Sequence, residues 1–171
     1  MTTATQLNGN DLTLVKYPDP KLKEVSIDCT EEDLPLIKDN VVKMTTLMEA
    51  QKGIGLAGIQ VGIAKCFCLL KDTSKVHIII NPVITNQVGE TRVQEGCLSL
   101  PFFYEFVDRF QKITITYMDE QWIERTTELE GLEAQCIQHE IDHFKGVLQL
   151  DKVSLMVRGM ALKRMKKRGF L

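Results

Sequence analysis

Apolar residues recur at intervals of three and four from Leu34 onward, through Ile37, Val41, Met44 and Leu47 with Met48 adjoining, while Lys38, Asp39, Lys43 and Glu49 fall elsewhere. That period predicts an amphipathic helix. Two starts fit: Thr30 as the cap, or Asp33, which keeps Pro35 in the first turn where a missing N–H is tolerated. Its end falls near Gln51 to Gly53. Before it, Leu12 to Pro20 reads as a short extended segment that Pro18, Asp19 and Pro20 turn away from regular structure.

From Lys65 to Leu129 the pattern is that of strands. Cys66 to Leu70 and Val76 to Ile80 are apolar runs, and Asn81-Pro82 breaks the second. Val88 to Gln94 leads toward Glu95-Gly96-Cys97-Leu98-Ser99-Leu100-Pro101. Ile113 to Tyr117 alternates, turns at Met118 to Gln121, and returns through Trp122 to Leu129. Such short connections leave no room for helical crossovers, so the pairing is expected to be antiparallel.

A second helical period runs from Gly131 to Lys145. One stripe, Ala134, Ile137, Ile141 and Phe144, has core-facing spacing; the other holds Leu132, Cys136, His139 and His143. Both sides are therefore expected to be covered, with Gly146 as a left-handed C-cap. The expected fold class is α+β: antiparallel β-sheets packed around a central helix in the C-terminal half that carries His-Glu-x-x-His, with an N-terminal amphipathic helix and a basic C-terminal helix or tail.

With 171 residues and 44% hydrophobic content the chain is expected to form one domain, residues 1–171. Residues 1–10 read as a loosely ordered lead-in with neither the charged nor the apolar part of a secretory signal. No stretch approaches the roughly 20 apolar residues of a membrane span. Five cysteines without framework spacing favour a reducing, cytoplasmic setting with free or metal-bound thiols. Cys66 and Cys68 alternate in an apolar run and read as core, and His77, inside a strand run, reads as structural.

The formal charge of −2 is unevenly spread. Residues 152–171 hold seven of the 21 basic residues and no acid, which leaves 14 basic against 23 acidic residues, a net −9, for residues 1–151. The basic block is confined to the C-terminal tail and reads as a solvated helix end.

His139 and His143 lie one helical turn apart, so both imidazoles can close on one metal ion. His-Glu-x-x-His alone leaves open a solvated or core-satisfied pair. Cys97, at the end of a strand run, is either a small core residue or a third ligand. The stretch from Gly53 to Gly62 holds four glycines in ten residues. It reads as a flexible turn or as backbone that approaches a ligand closely, with Gln60 placed to donate to it; it lacks the ending of a phosphate-binding loop.

Gly53-Ile54-Gly55-Leu56-Ala57-Gly58-Ile59-Gln60, Glu95-Gly96-Cys97-Leu98-Ser99 and Gln138-His139-Glu140-Ile141-Asp142-His143 together resemble the three motifs of peptide deformylases, in the same order. The resemblance spans nearly the whole chain, from Tyr17-Pro18-Asp19 to Gly146-Val147-Leu148. Gly58 and Ile59 depart from the Ala-Pro usual in the first motif and are expected to loosen that loop while leaving Gln60 in register.

The resemblance implies a hydrolase that removes the N-formyl group from the formyl-methionine of new polypeptides and releases formate. It implies Cys97, His139 and His143 as ligands of one divalent ion, usually ferrous iron, with zinc, nickel or cobalt as alternatives. The ion would lower the pKa of a bound water from about 16 toward roughly 7. Glu140 would then move its proton, first from the water and later to the leaving amine. Gln60 and the backbone N–H of Leu98 would stabilise the oxyanion. The substrate would lie along Gly53, Ile54 and Gly55 as an added strand, its methionine side chain between Ile54, Leu132 and Cys136. Glu95 and Arg109 would support the ligands from behind.

Expected partners are formyl-methionyl nascent chains and, through the basic tail, ribosomal RNA; DNA and membranes are not expected, and the protein is expected to be a monomer. Two other readings stand beside this one: a catalytically silent metal- or peptide-binding protein on the same fold, and a zincin-type protease. A zincin takes its third ligand downstream, where only Asp151 and no histidine follows His143.

Overall fold

The computed structural model describes residues 12–171, so the expected lead-in, residues 1–10, lies outside the described residues. Both expected helix starts are used. Thr30 donates its N–H to Asp33 Oδ2 at 2.8 Å and opens a 3₁₀ turn, Glu31–Asp33. Asp33 then takes the N-cap position of α1, Leu34–Ala50, without a side-chain capping bond, and Pro35 falls in the first turn. Helix α1 buries Ile37, Met44 and Met48.

Five strands follow: β1 (Gly55–Ala57), β2 (Phe67–Lys71), β3 (Val76–Cys97), β4 (Leu100–Met118) and β5 (Glu124–Glu130). They form one sheet in sequence order, each neighbour antiparallel. The sequence pattern pointed to more than one sheet. A single sheet results because β3 and β4 are long enough for their two ends to serve different layers.

Asn81-Pro82 does not end a strand, as the sequence suggested. Strand β3 runs through it, and the register with β4 slips between Ile80 and Val83. Asn81 takes a left-handed φ of 49° and pins the bulge from its side chain, accepting from Cys29 N–H at 2.8 Å and donating to Cys29 O at 2.9 Å. A bulge tolerates the proline because no ladder hydrogen bond is asked of it there.

Helix α2, Gly131–Phe144, lies against the sheet, and its stripe of Ala134, Ile137, Ile141 and Phe144 packs with Ile113, Ile115, Leu129 and Ala57. Cys68 is buried in this cluster and Cys66 packs against it, which agrees with their reading as core. Gly146 follows α2 with φ 67°, the left-handed ending expected there. His77 sits in β3 and meets Asp72 at 2.6 Å, a local hydrogen bond far from the histidines of α2 in sequence.

Helix α3, Leu155–Lys167, is docked rather than trailing: Ala161 and Met165 are fully buried with Leu22, Leu100 and Phe103. Among the described residues no helix is long and apolar enough to cross a membrane.

Candidate metal centre

Two elements bring three ligand atoms together. Cys97 ends β3, where the register with β4 slips after Gly96 and Cys97 comes to face Leu100 across a tight reversal. His139 and His143 project from one face of α2. The ligand atoms of Cys97, His139 and His143 all lie within 4.8 Å of one another, with Cys97 Sγ 3.4 Å from His143 Nε2 and the two Nε2 atoms 3.1 Å apart.

His139 is fixed from behind. Its Nδ1 lies 3.1 Å from Glu95 Oε2, which holds the proton on that nitrogen and turns the Nε2 lone pair to the centre. Glu95 is held in turn by Arg109, through Nε at 2.7 Å and Nη2 at 2.9 Å, while Arg109 Nη1 reaches Asp142 Oδ2 at 2.6 Å. Burial alone would raise the Glu95 carboxyl, but the hydrogen bonds of His139 and Arg109 hold it down at about 2. Glu95 and Arg109 thus form a two-point ion pair behind His139. Two further supports were not foreseen: Asp142, and Gln149, whose Nε2 donates to Glu95 Oε2 at 3.1 Å while its Oε1 is buried without a partner. Asp142 lies within the third motif, next to His143, and so had a signal; Gln149, a polar residue between Leu148 and Leu150, had only its oddness in an apolar run.

Glu140 faces the other side. It is buried, its Oε2 has no partner, and burial raises its pKa to about 7 against the pull of His139. Its Oε1 lies 4.0 Å from Cys136 Sγ, a thiol that burial pushes well above its ordinary value and so keeps protonated. A buried carboxylate oxygen with no donor is costly unless something else occupies its surroundings. Beside a thiol and two imidazoles whose Nε2 atoms converge on one point, that orphaned oxygen fits a site built around a divalent cation.

Gln60 is buried and held at three points: Oε1 accepts from Ala57 N–H at 2.8 Å, and Nε2 donates to Ser99 Oγ at 3.1 Å and to Cys97 Sγ at 3.7 Å. One amide hydrogen therefore points at the ligand cluster. A strap of the N-terminal segment secures both motifs, since Val15 N–H donates to Gln60 O at 2.7 Å and Tyr17 N–H to Ser99 O at 2.9 Å.

The first motif is not loosened by Gly58 and Ile59. Ile59 is buried in the core under α2, and the space beside Gly58 is taken by the Phe67 ring: a Cβ there would stand 2.5 Å from Phe67 Cε1 and 2.9 Å from Ile63 O. The glycine makes room for an aromatic ring, so the loop is packed.

A cleft of about 300 Å³ opens over the cluster, lined by Gly53, Ile54, Gly55, Gln60, Leu98, Leu132, Cys136, His139 and Glu140 among others. Gly53, Ile54, Gly55, Leu132 and Cys136, which the resemblance implied for the substrate, all line this cleft. Leu132 differs in one respect: it is 63% exposed, on the first turn of α2.

A helix-borne histidine pair, closed by a strand-borne cysteine with an unpartnered carboxylate between, defines a metal-binding protein of the α+β class. Residues 12–158 match the polypeptide deformylase family model. The chain is 38% identical over 162 residues to the peptide deformylase of Rhizobium meliloti, covering 90% of this chain and 91% of that one. It is 39% identical over 167 residues to that of Wolinella succinogenes, covering 92% and 96%. A crystal structure of a peptide deformylase from Legionella pneumophila superposes with a TM-score of 0.85 at 31% identity, covering 94% and 96%. The chain belongs to the peptide deformylase family and is an enzyme.

Proposed function

We propose that this enzyme hydrolyses the N-formyl group from the formyl-methionine at the start of nascent polypeptides, and that Cys97, His139 and His143 hold its single divalent ion. The observation that carries the reading is the convergence of those three ligand atoms beside the orphaned Glu140 carboxylate, at the floor of a cleft walled by a glycine loop. When bound, the ion supplies Lewis acidity for attack of water on the formyl carbonyl.

The chain's own residues do the rest. Glu140 Oε2, free of other partners, takes a proton from the attacking water and delivers it to the leaving amine. The Cys136 thiol stands 4.0 Å from Oε1, on the side away from Oε2. Gln60 Nε2 and the backbone N–H of Leu98 donate to the formyl oxygen as charge develops on it; losing one such donor typically costs about 10²–10³ in rate. Ser99 and Ala57 keep the Gln60 amide from rotating away.

The substrate backbone adds to the edge at Gly53–Gly55, and the methionine side chain enters between Ile54, Leu132 and Cys136. Ferrous iron is the proposed native ion, with zinc, nickel or cobalt as substitutes. The enzyme acts as a cytoplasmic monomer. Helix α3 presents Lys163, Lys166 and Lys167 outward, which supports contact with ribosomal RNA.

Formate release from a formyl-Met dipeptide, with the acetylated dipeptide as control, tests the reading. Release from the formyl substrate alone is expected. No formate from the metal-loaded protein would leave it a silent binder.

A further inference from the structure

Lys152, the first basic residue of the C-terminal block, turns back toward the metal centre. It follows a 3₁₀ turn, Gln149–Asp151, and its Nζ meets Asp142 Oδ2 at 2.9 Å. The same oxygen accepts from Arg109 Nη1 at 2.6 Å, so two cations share it. Arg109 in turn holds Glu95, and Glu95 holds His139.

A second cavity, of about 450 Å³, brings this network to the surface. It lies between α2 and the β3–β4 ribbon, has Arg109, Asp142, Lys145 and Lys152 in its walls, and shares no residue with the cleft over the ligands. Side-chain exposure falls inward along the network, from 30% at Lys152 and 17% at Asp142 to 2% at Arg109. Lys152 is therefore the point at which the support of His139 meets solvent. Lys145 lines the same cavity with the same charge, but Asp142 takes its ion pairs from Arg109 and Lys152.

Charge balance decides what Lys152 does. Two carboxylates, Glu95 and Asp142, flank the buried Arg109 guanidinium, and Lys152 supplies the second cation that matches them. Without it one guanidinium serves two carboxylates, and an uncompensated negative charge is left partly buried, which is costly. The excess is relieved if Asp142 draws the guanidinium off Glu95, or if water enters from the cavity. Either change loosens the carboxylate that orients His139, and partners behind a ligand tune metal affinity in this way.

We propose that Lys152 is a positioning residue of the metal centre: by sharing Asp142 Oδ2 it leaves the Arg109 guanidinium on Glu95 and so keeps His139 in its ligating orientation. This rests on the ligand set proposed above.

The test is chelator competition on the zinc-loaded protein, beside thermal unfolding of the metal-free protein. Lys152→Met should weaken zinc binding by about 5-fold, less than the 10–100-fold typical of a group that touches a ligand, because three side chains stand between Lys152 and His139. Lys152→Arg should restore binding to near the parent's, since Asp142 Oδ2 asks for one cationic donor and not a fork. Lys145→Met should leave the midpoint unchanged. An ion pair this exposed contributes little to folding, so the metal-free unfolding temperature should stay close to the parent's in all three variants. In an Asp142→Asn background Lys152→Met should have no further effect, because the charge it answers is already gone.

A Lys152→Met midpoint equal to the parent's would overturn the role. So would an equal loss in Lys145→Met, which would reduce the effect to nearby positive charge, or full additivity with Asp142→Asn, which would mean a route that bypasses Asp142. Weaker zinc binding matched by a lower metal-free unfolding temperature, and not rescued by Lys152→Arg, would make Lys152 a packing residue. A parent protein that takes up no zinc would instead remove the ligand set, and with it the centre to be positioned.

Discussion

Gly55 stands so close to Glu140 that a methyl on its Cα would overlap the carboxylate oxygen Oε1 and the thiol of Cys136. The glycine of β1 thus sets where the Glu140 carboxylate can lie. Gly55→Ala should push Glu140 off its position and lower kcat by about 10², the scale of a misplaced catalytic group, while bound metal stays near stoichiometric. Turnover measured beside elemental analysis decides it; parent-like kcat would show that Glu140 has slack.

The ligand set predicts unequal cysteines. Cys97→Ser should lose most bound metal and activity, because oxygen replaces the thiolate at one of three positions. Cys66→Ser should keep both, since Cys66 Sγ donates to Ser26 O at 3.6 Å and is not among the clustered ligand atoms. Full metal content in Cys97→Ser, by elemental analysis, would remove Cys97 from the centre.

Proton handling separates from metal binding at Glu140. Glu140→Gln should retain metal and bind formyl-Met peptides while turnover falls by roughly 10²–10⁴, the usual worth of a general base. Peptide binding by calorimetry and formate release together test this, and deformylation at the parent rate would mean that another base operates.

Gly58 and Phe67 should behave as a coupled pair. Gly58→Ala drives a methyl into the ring and should cost about 1–3 kcal/mol of stability, as overpacking does. In a Phe67→Leu background the added penalty should be smaller by about 1 kcal/mol. Relief should remain partial because Ile63 O also crowds the site at 2.9 Å. Additive urea-unfolding free energies would show that the ring does not claim that space.

Gln149 acts on the centre through Glu95. Gln149→Leu removes one of the donors to the oxygen that holds His139, and metal affinity should fall by about 10-fold, within the range seen for partners behind a ligand. Chelator competition reads this directly. An unchanged midpoint would reduce Gln149 to packing.

Periodicity in the sequence was enough to determine the amphipathic α1, the helix α2 with its two stripes, and antiparallel pairing. The spacing of His139 and His143 put two imidazoles on one face of α2, because a helical turn is local geometry, while Cys97 and Glu140 joined them only through the resemblance to the three deformylase motifs. What local pattern leaves undetermined is anything fixed by atoms distant in sequence. Asn81-Pro82 looks like a strand break until Cys29, 52 residues away, supplies the hydrogen bonds that turn it into a bulge. Gly58 looks like slack until Phe67 fills the space beside it. Gln149 is one polar residue in an apolar run until the tail folds it onto Glu95, and Lys152 is one cation of a basic block until it meets Asp142. In each case tertiary structure decided the outcome, since packing and hydrogen-bond partners are set by which surfaces meet.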